Sequence, residues 1–139
     1  MLWALDTNIV VMSLRQNAPP SVIERFRQLE PSNIVVPEIV RAELLHGCLK
    51  SQQIKKNLSA VSRFLAPYQH LPFDAEAAEH YADIRNTLER QGLCIGPNDL
   101  LIAATARAAK ATLVTNNLKE FQRIPKLKCE DWTQVEPLE

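Results

Sequence analysis

The stretch Leu2-Trp3-Ala4-Leu5-Asp6-Thr7-Asn8 decides the fold. Its apolar run ends on a carboxylate and two more polar residues. A strand buried on both faces that passes at once into a capped helix reads this way. The pattern returns downstream. Ile34-Val35-Val36 is a β-branched run, and Pro37 suits the first position of a helix reaching about Lys50. Thr112-Leu113-Val114-Thr115 is another strand, followed by a short helical or turn segment from Asn116 to Phe121. His70-Leu71-Pro72-Phe73 is a brief extended piece, and Cys129 to Val135 reads as a final edge strand.

Helical patterns fill the intervals. Ser21 is placed to cap a helix carrying Val22, Ile23, Phe26 and Leu29. Ile54, Leu58, Val61, Phe64 and Leu65 mark another helix. Asp74 caps a third, which Gly92 stops, and Gly96-Pro97 opens an Ala-rich fourth. Short strands alternating with helices predict an α/β domain with a parallel sheet covered on both faces. In such sheets ligands collect at the carboxyl ends of the strands.

The chain has 139 residues, a length that favours one domain over 1–139. Lys plus Arg and Asp plus Glu both number 16, so a strongly basic nucleic-acid glove and an acidic tail are excluded, whereas a local basic patch is not. Cys48, Cys94 and Cys129 are far apart and odd in number, which predicts free thiols and a reducing compartment. The opening residues do not resemble a secretory leader, and no apolar stretch approaches the ~20 residues of a membrane span. A cytoplasmic location is expected.

Three acids stand out. Asp6 ends the first strand, where it serves equally as a helix cap or as a functional group on the carboxyl edge. Glu43 lies on a helix read as apolar nearly all round, with Ile39, Val40, His46 and Gly47 as its helical neighbours and no cation among them. A carboxylate buried there needs a partner from elsewhere. Asp99 sits in the first turn of the Ala-rich helix, where the dipole favours it, above the inward positions Ile102, Ala103 and Ala106. Asn98 beside it is expected to orient it. In Thr115-Asn116-Asn117-Leu118-Lys119-Glu120, both Asn117 and Glu120 can supply an oxygen, and spacing does not choose between them.

If these acids converge, each pair at ~4 Å repels by about 4 kcal/mol at an effective dielectric near 20. A divalent cation relieves that repulsion, and hard oxygen ligands select Mg²⁺ or Mn²⁺. Such a site suits in-line hydrolysis of a phosphodiester. Millimolar Mn²⁺ should then raise the melting temperature, and Asp6→Asn should raise that of the metal-free protein. His46, His70 and His80 show no zinc spacing, and neither a nucleophile elbow nor a Gly-rich phosphate loop is present. Two rival readings remain. One is an aspartyl-phosphatase with Asp6 as nucleophile, although position 8 is Asn where that class has a second acid. The other is a non-catalytic module that only binds a partner, or DNA with it.

The blocks Leu5-Asp6-Thr7-Asn8, Ala42-Glu43-Leu44-Leu45-His46-Gly47, Leu71-Pro72-Phe73-Asp74, Ile95-Gly96-Pro97-Asn98-Asp99-Leu100 and Val114-Thr115-Asn116-Asn117-Leu118-Lys119-Glu120-Phe121 run in order along nearly the whole chain. Together they resemble the PIN-domain ribonucleases, and closely the VapC toxins of bacterial toxin–antitoxin pairs. The resemblance implies a five-stranded parallel sheet sandwiched by helices. It implies a Mg²⁺- or Mn²⁺-dependent endoribonuclease with Asp6, Glu43 and Asp99 as its acidic core, and with Asp6 and Asp99 holding the metal. Many members carry Asp where Asn117 stands, so Glu120 is expected to stand in for that acid. Thr7, Asn8, Asn98, Thr115 and Asn117 are expected to support the acids. The family further implies a VapB-like antitoxin, toxin homodimers that form a dimer of heterodimers with it, and DNA contact only through the antitoxin. The substrate it implies is RNA, with initiator tRNA cut in the anticodon loop, which inhibits translation. Two basic stretches, Lys119/Arg123/Lys126/Lys128 and Arg41/Lys50/Lys55/Lys56, are candidate phosphate contacts or simply solvated faces.

Overall fold

The computed structural model describes residues 1–134. Five parallel strands are present among them: β1 (Trp3–Leu5), β2 (Ile34–Pro37), β3 (Gln69–Leu71), β4 (Thr112–Val114) and β5 (Cys129–Glu130). Their order across the sheet is β3-β2-β1-β4-β5. Trp3 pairs with both Ile34 and Thr112, so β1 lies at the centre. The chain builds outward from β1 to one side and then crosses to the other. The strand order therefore reverses between β1 and β4, the place where open parallel sheets leave a crevice at their carboxyl ends.

The helices are α1 (Thr7–Ser13), α2 (Pro20–Gln28), α3 (Glu38–Lys50), α4 (Ile54–Leu65), α5 (Ala75–Gln91), α6 (Pro97–Ala108) and α7 (Leu118–Phe121). Ala4, Leu5, Val35, Val36, Leu113 and Val114 are fully or almost fully buried, as strands covered on both faces require. The core continues into α6, where Ile102, Ala103, Ala104 and Ala106 show no exposure. Small side chains let this helix lie close against its neighbours.

Several helix boundaries follow the sequence. Asp74 accepts the Ala77 N–H at 2.9 Å as the cap of α5, and Gly92 ends that helix at φ 68°. Gly96 and Pro97 open α6 as expected. Ser21 does not cap α2. Pro20 takes the first helical position, which its missing N–H suits, and Pro19 precedes it as the cap residue. Pro37 is shifted by one: it pairs with Leu71 as the last residue of β2, and α3 starts at Glu38. The final strand is two residues long, not the expected seven-residue run, and Val135 lies outside the described residues. The three cysteines are free. No helix among the described residues is long and apolar enough to cross a membrane.

Candidate active site

Asp6 follows β1 directly, and its backbone N–H donates to the Val114 carbonyl at 3.0 Å, which continues the β1–β4 ladder. This locks the residue at the point where the strand order reverses. Its side chain is 4% exposed. One carboxylate oxygen accepts the Thr7 N–H at 2.7 Å, and the other accepts the Thr115 hydroxyl at 2.8 Å. Burial pushes the Asp6 pKa up, the two hydrogen bonds pull it back down, and the charge of Glu43 adds a smaller upward push. With both oxygens engaged by donors and the group buried, Asp6 is poorly placed as a phosphatase nucleophile.

The same two threonines reach further. The Thr7 hydroxyl donates to Glu43 Oε1 at 2.7 Å, although 36 positions separate the two residues. Thr115 Oγ1 accepts the Asn117 backbone N–H at 3.0 Å, and the Asn117 amide donates to Glu120 Oε2 at 3.1 Å. A continuous line of hydrogen bonds thus runs Glu43–Thr7–Asp6–Thr115–Asn117–Glu120. In it Asn117 acts as the donor that aims Glu120, and the carboxylate at that end of the line belongs to Glu120.

Asp99, in the first turn of α6, is the exception. No protein hydrogen bond holds its carboxylate among the described residues, and its pKa rises to about 6. Burial is the largest cause, followed by the charges of Asp6, Glu120 and Glu43 in that order. The four acids therefore share one region at the carboxyl edge of the sheet. None of the ion pairs among the described residues involves any of them. Negative charge accumulates here with no ion-paired cation among the described residues.

This arrangement corrects several expectations. α3 is not buried all round: Val40, Leu44 and Cys48 form one inward stripe, while Arg41, Ala42, His46 and Leu49 are exposed. Glu43 stands beside that stripe and is partly exposed. Asn98 does not orient Asp99. Its amide reaches across to Glu43 Oε2 in a long contact of 3.5 Å. Asn8 is exposed and joins none of these hydrogen bonds. The basic stretch Lys119–Lys128 does not stay beside the acids, because Lys126 and Lys128 line a depression at the amino edge of the sheet. Asp6→Asn no longer offers simple relief of repulsion, since an amide there would set a donor against one of two fixed donors.

The groups present suit a hard divalent cation. Their donors are all carboxylate oxygens, none of them is ion-paired among the described residues, and burial together with the neighbouring acids raises the pKa of Asp99 to about 6. Among the described residues no group of three or more His, Cys, Asp or Glu is arranged to hold an ion. Mg²⁺ ordinarily keeps several waters and takes one or two carboxylates, so it does not require such a group. Beside Glu43 the edge opens into a groove of about 570 Å³ between α1, α3 and α4, with Val11, Leu44 and Val61 on its walls and Lys56 and Arg63 among its lining residues.

Comparison with known proteins agrees with this fold. A family model described as "PIN domain" matches residues 4–127. "Ribonuclease VapC2" of Rickettsia felis is 44% identical over 95% of this chain and 98% of its own. "tRNA(fMet)-specific endonuclease VapC" of Shigella flexneri is 40% identical over 94% of this chain and 98% of its own. Among solved structures, VapBC2 from Rickettsia felis bound to a promoter DNA fragment superposes with a TM-score of 0.89 at 43% identity, covering 95% of this chain and 99% of that one. VapBC from Salmonella typhimurium, also bound to DNA, gives 0.88 at 38% identity, over 95% and 99% of the two chains. The chain belongs to the PIN-domain family, in its VapC branch.

Proposed function

We propose that this chain is the toxin of a toxin–antitoxin pair and acts as a Mg²⁺- or Mn²⁺-dependent endoribonuclease. The observation that carries the reading is the uncompensated group of Asp6, Glu43, Asp99 and Glu120 at the point where the strand order reverses. Asp6 and Asp99 would hold the ion. When bound, it supplies an acidified water and neutralises charge developing on the phosphoryl oxygens. The chain's own residues do the rest. Thr7 and Thr115 aim Asp6, and their hydrogen bonds lower a pKa that burial raises. Glu43 and Glu120 each accept a hydrogen bond from a neutral donor, which positions each side chain at the edge where it would take a proton from the attacking water.

The relative from Shigella flexneri is named for initiator tRNA, which supports tRNA as the substrate and blocked translation as the consequence. The related structures are VapBC complexes, which supports a VapB-like antitoxin as partner, with homodimers of this chain in a dimer of heterodimers and DNA reached through the antitoxin. The groove beside Glu43 is where an antitoxin segment would cover the acids. A cytoplasmic location fits the free thiols and a tRNA target.

The test is cleavage of tRNA by the full chain in Mg²⁺ or Mn²⁺, with and without excess chelator, alongside Asp99→Asn. Cleavage should need the ion and fall at least 100-fold in the variant. Undiminished cleavage in excess chelator would overturn the reading.

A further inference from the structure

The edge of the sheet opposite the acids carries a second feature that the reaction does not use. Arg107, Lys110, Lys126 and Lys128 line a depression of about 340 Å³ whose lining includes no acidic residue. Arg107 is almost buried and fully engaged: it donates to His80 Nδ1 at 2.9 Å, to the Pro125 carbonyl at 3.1 Å and to Asp83 at 2.6 Å. That ties the 122–128 connection to α5 and α6 and fixes the floor. Lys110, Lys126 and Lys128 form no ion pair among the described residues, although Lys110 and Lys126 also border an adjoining depression with Glu79 and Asp83, where the Lys126 charge helps lower the Asp83 pKa.

Two of these lysines occupy backbone positions that favour glycine. Lys110 has φ 57° and Lys126 has φ 63°, and no other non-glycine residue among those described has a positive φ. Lys110 ends α6 by a Schellman pair of bonds, its own N–H to the Arg107 carbonyl at 3.1 Å and the Ala111 N–H to the Ala106 carbonyl at 3.0 Å. The same chain ends α5 by the equivalent pair, Gly92 to Glu89 and Leu93 to Leu88, and uses glycine there. Lys126 follows Pro125 in a turn, where a left-handed residue is again ordinarily Gly or Asn. Strained backbone retained at two places around one depression marks a site where the side chain matters. Both side chains contribute the same thing, a cation.

We propose that this depression binds backbone phosphates of the RNA substrate at a distance from the cut. The inference rests on the ribonuclease reading and adds a substrate contact to it. Asp99 begins α6 and Lys110 follows its end, so the two lie roughly 16 Å apart at 1.5 Å per residue. The connection carrying Lys119 and Arg123 runs from the acids' edge to the lysines' edge, since β4 and β5 are parallel and the chain must cross between them. A folded RNA cut at one edge meets cations along that route. A short oligonucleotide spanning only the cut does not.

The glycine preference supplies a variant that removes charge without threatening the fold. Lys110→Gly/Lys126→Gly should melt no lower than the wild type. It should raise KM for a full-length tRNA about tenfold at moderate salt and make the salt dependence of binding shallower by between one and two in log–log slope. kcat on tRNA, and cleavage of a short oligonucleotide, should stay within about twofold. Lys110→Arg/Lys126→Arg should restore the wild-type KM. Unchanged KM and salt slope in the glycine variant would overturn the inference, while tRNA cleavage by the wild type would leave the ribonuclease reading standing. A melting temperature that drops with the charges would also overturn it, by assigning the lysines to the α6 C-terminal dipole. A wild type that cleaves no RNA in Mg²⁺ or Mn²⁺ would instead remove the reading on which the inference rests.

Discussion

Thr115 donates its hydroxyl to Asp6 at 2.8 Å across 109 positions of chain, and both side chains are buried. This bond joins the residues that follow β4 and β1, the two strands between which the sheet reverses its order. It lowers the pKa of a carboxylate that burial pushes up. Thr115→Val keeps the shape and removes the donor. It should cost about 1–3 kcal/mol in urea unfolding, because one Asp6 oxygen and the Asn117 N–H both lose their partner. RNA cleavage should fall with it, most at acidic pH, where the less supported Asp6 takes up a proton first.

Asp99 lacks such support, and its neutralisation has the opposite effect. Asp99→Asn should stabilise the metal-free protein at pH 7 by about 1–2 kcal/mol after allowance for solvent screening. Thermal melting in chelator, read against the wild type, checks this. The stabilisation should vanish when Mn²⁺ is saturating, since the wild type then gains from binding what the variant does not.

The pH dependence follows from the same group. The Asp99 pKa rises from 3.8 to about 6 on folding, so the folded state binds the proton more tightly than the unfolded chain. Its contribution to stability is fully present below pH ~3.8 and is lost as pH rises through ~6. The difference in melting temperature between Asp99→Asn and wild type in chelator should therefore grow between pH 4 and pH 7 and level off above. Mn²⁺ affinity should climb over the same range, because ion and proton compete for one carboxylate.

Asn117 provides a fourth test. Its amide donates to Glu120, and Asp at this position would replace that bond with repulsion between two carboxylates. Asn117→Asp should lower metal-free stability by about 1–4 kcal/mol, the span between water-like and protein-like screening. It should also enlarge the rise in melting temperature caused by Mn²⁺. Differential scanning calorimetry with and without the ion reads both effects.

The sequence exposed the local half of this architecture. A strand ending on Asp6, a capped start for α5 at Asp74 and the Gly96-Pro97 opening of α6 depend on neighbours a few residues apart, and each is found. The acids were legible too, since a carboxylate at a strand end or on an inward helix face is chemically conspicuous. What joins them was not. Thr7 to Glu43 and Thr115 to Asp6 cross 36 and 109 positions, and no spacing rule reports on them. Asn98 is the sequence neighbour of Asp99, yet it reaches the more distant Glu43 on a different helix. α3 looked buried because Ile39, Leu45 and Leu49 blur its stripe, and only the packing of Val40, Leu44 and Cys48 shows which side faces inward. The basic run after α7 divides because the chain crosses the sheet within it, a consequence of parallel β4 and β5.

Calorimetric titration of the full chain with Mn²⁺ at pH 6, where Asp99 is about half protonated, beside Asp99→Asn, tests the acidic edge as a cation site most directly. The wild type should bind the ion and release a fraction of a proton on doing so, and the variant should show neither heat nor proton release over the same range. Equal binding by the two proteins would contradict the account, because the unsupported acid at the start of α6 would then have no part in holding the ion.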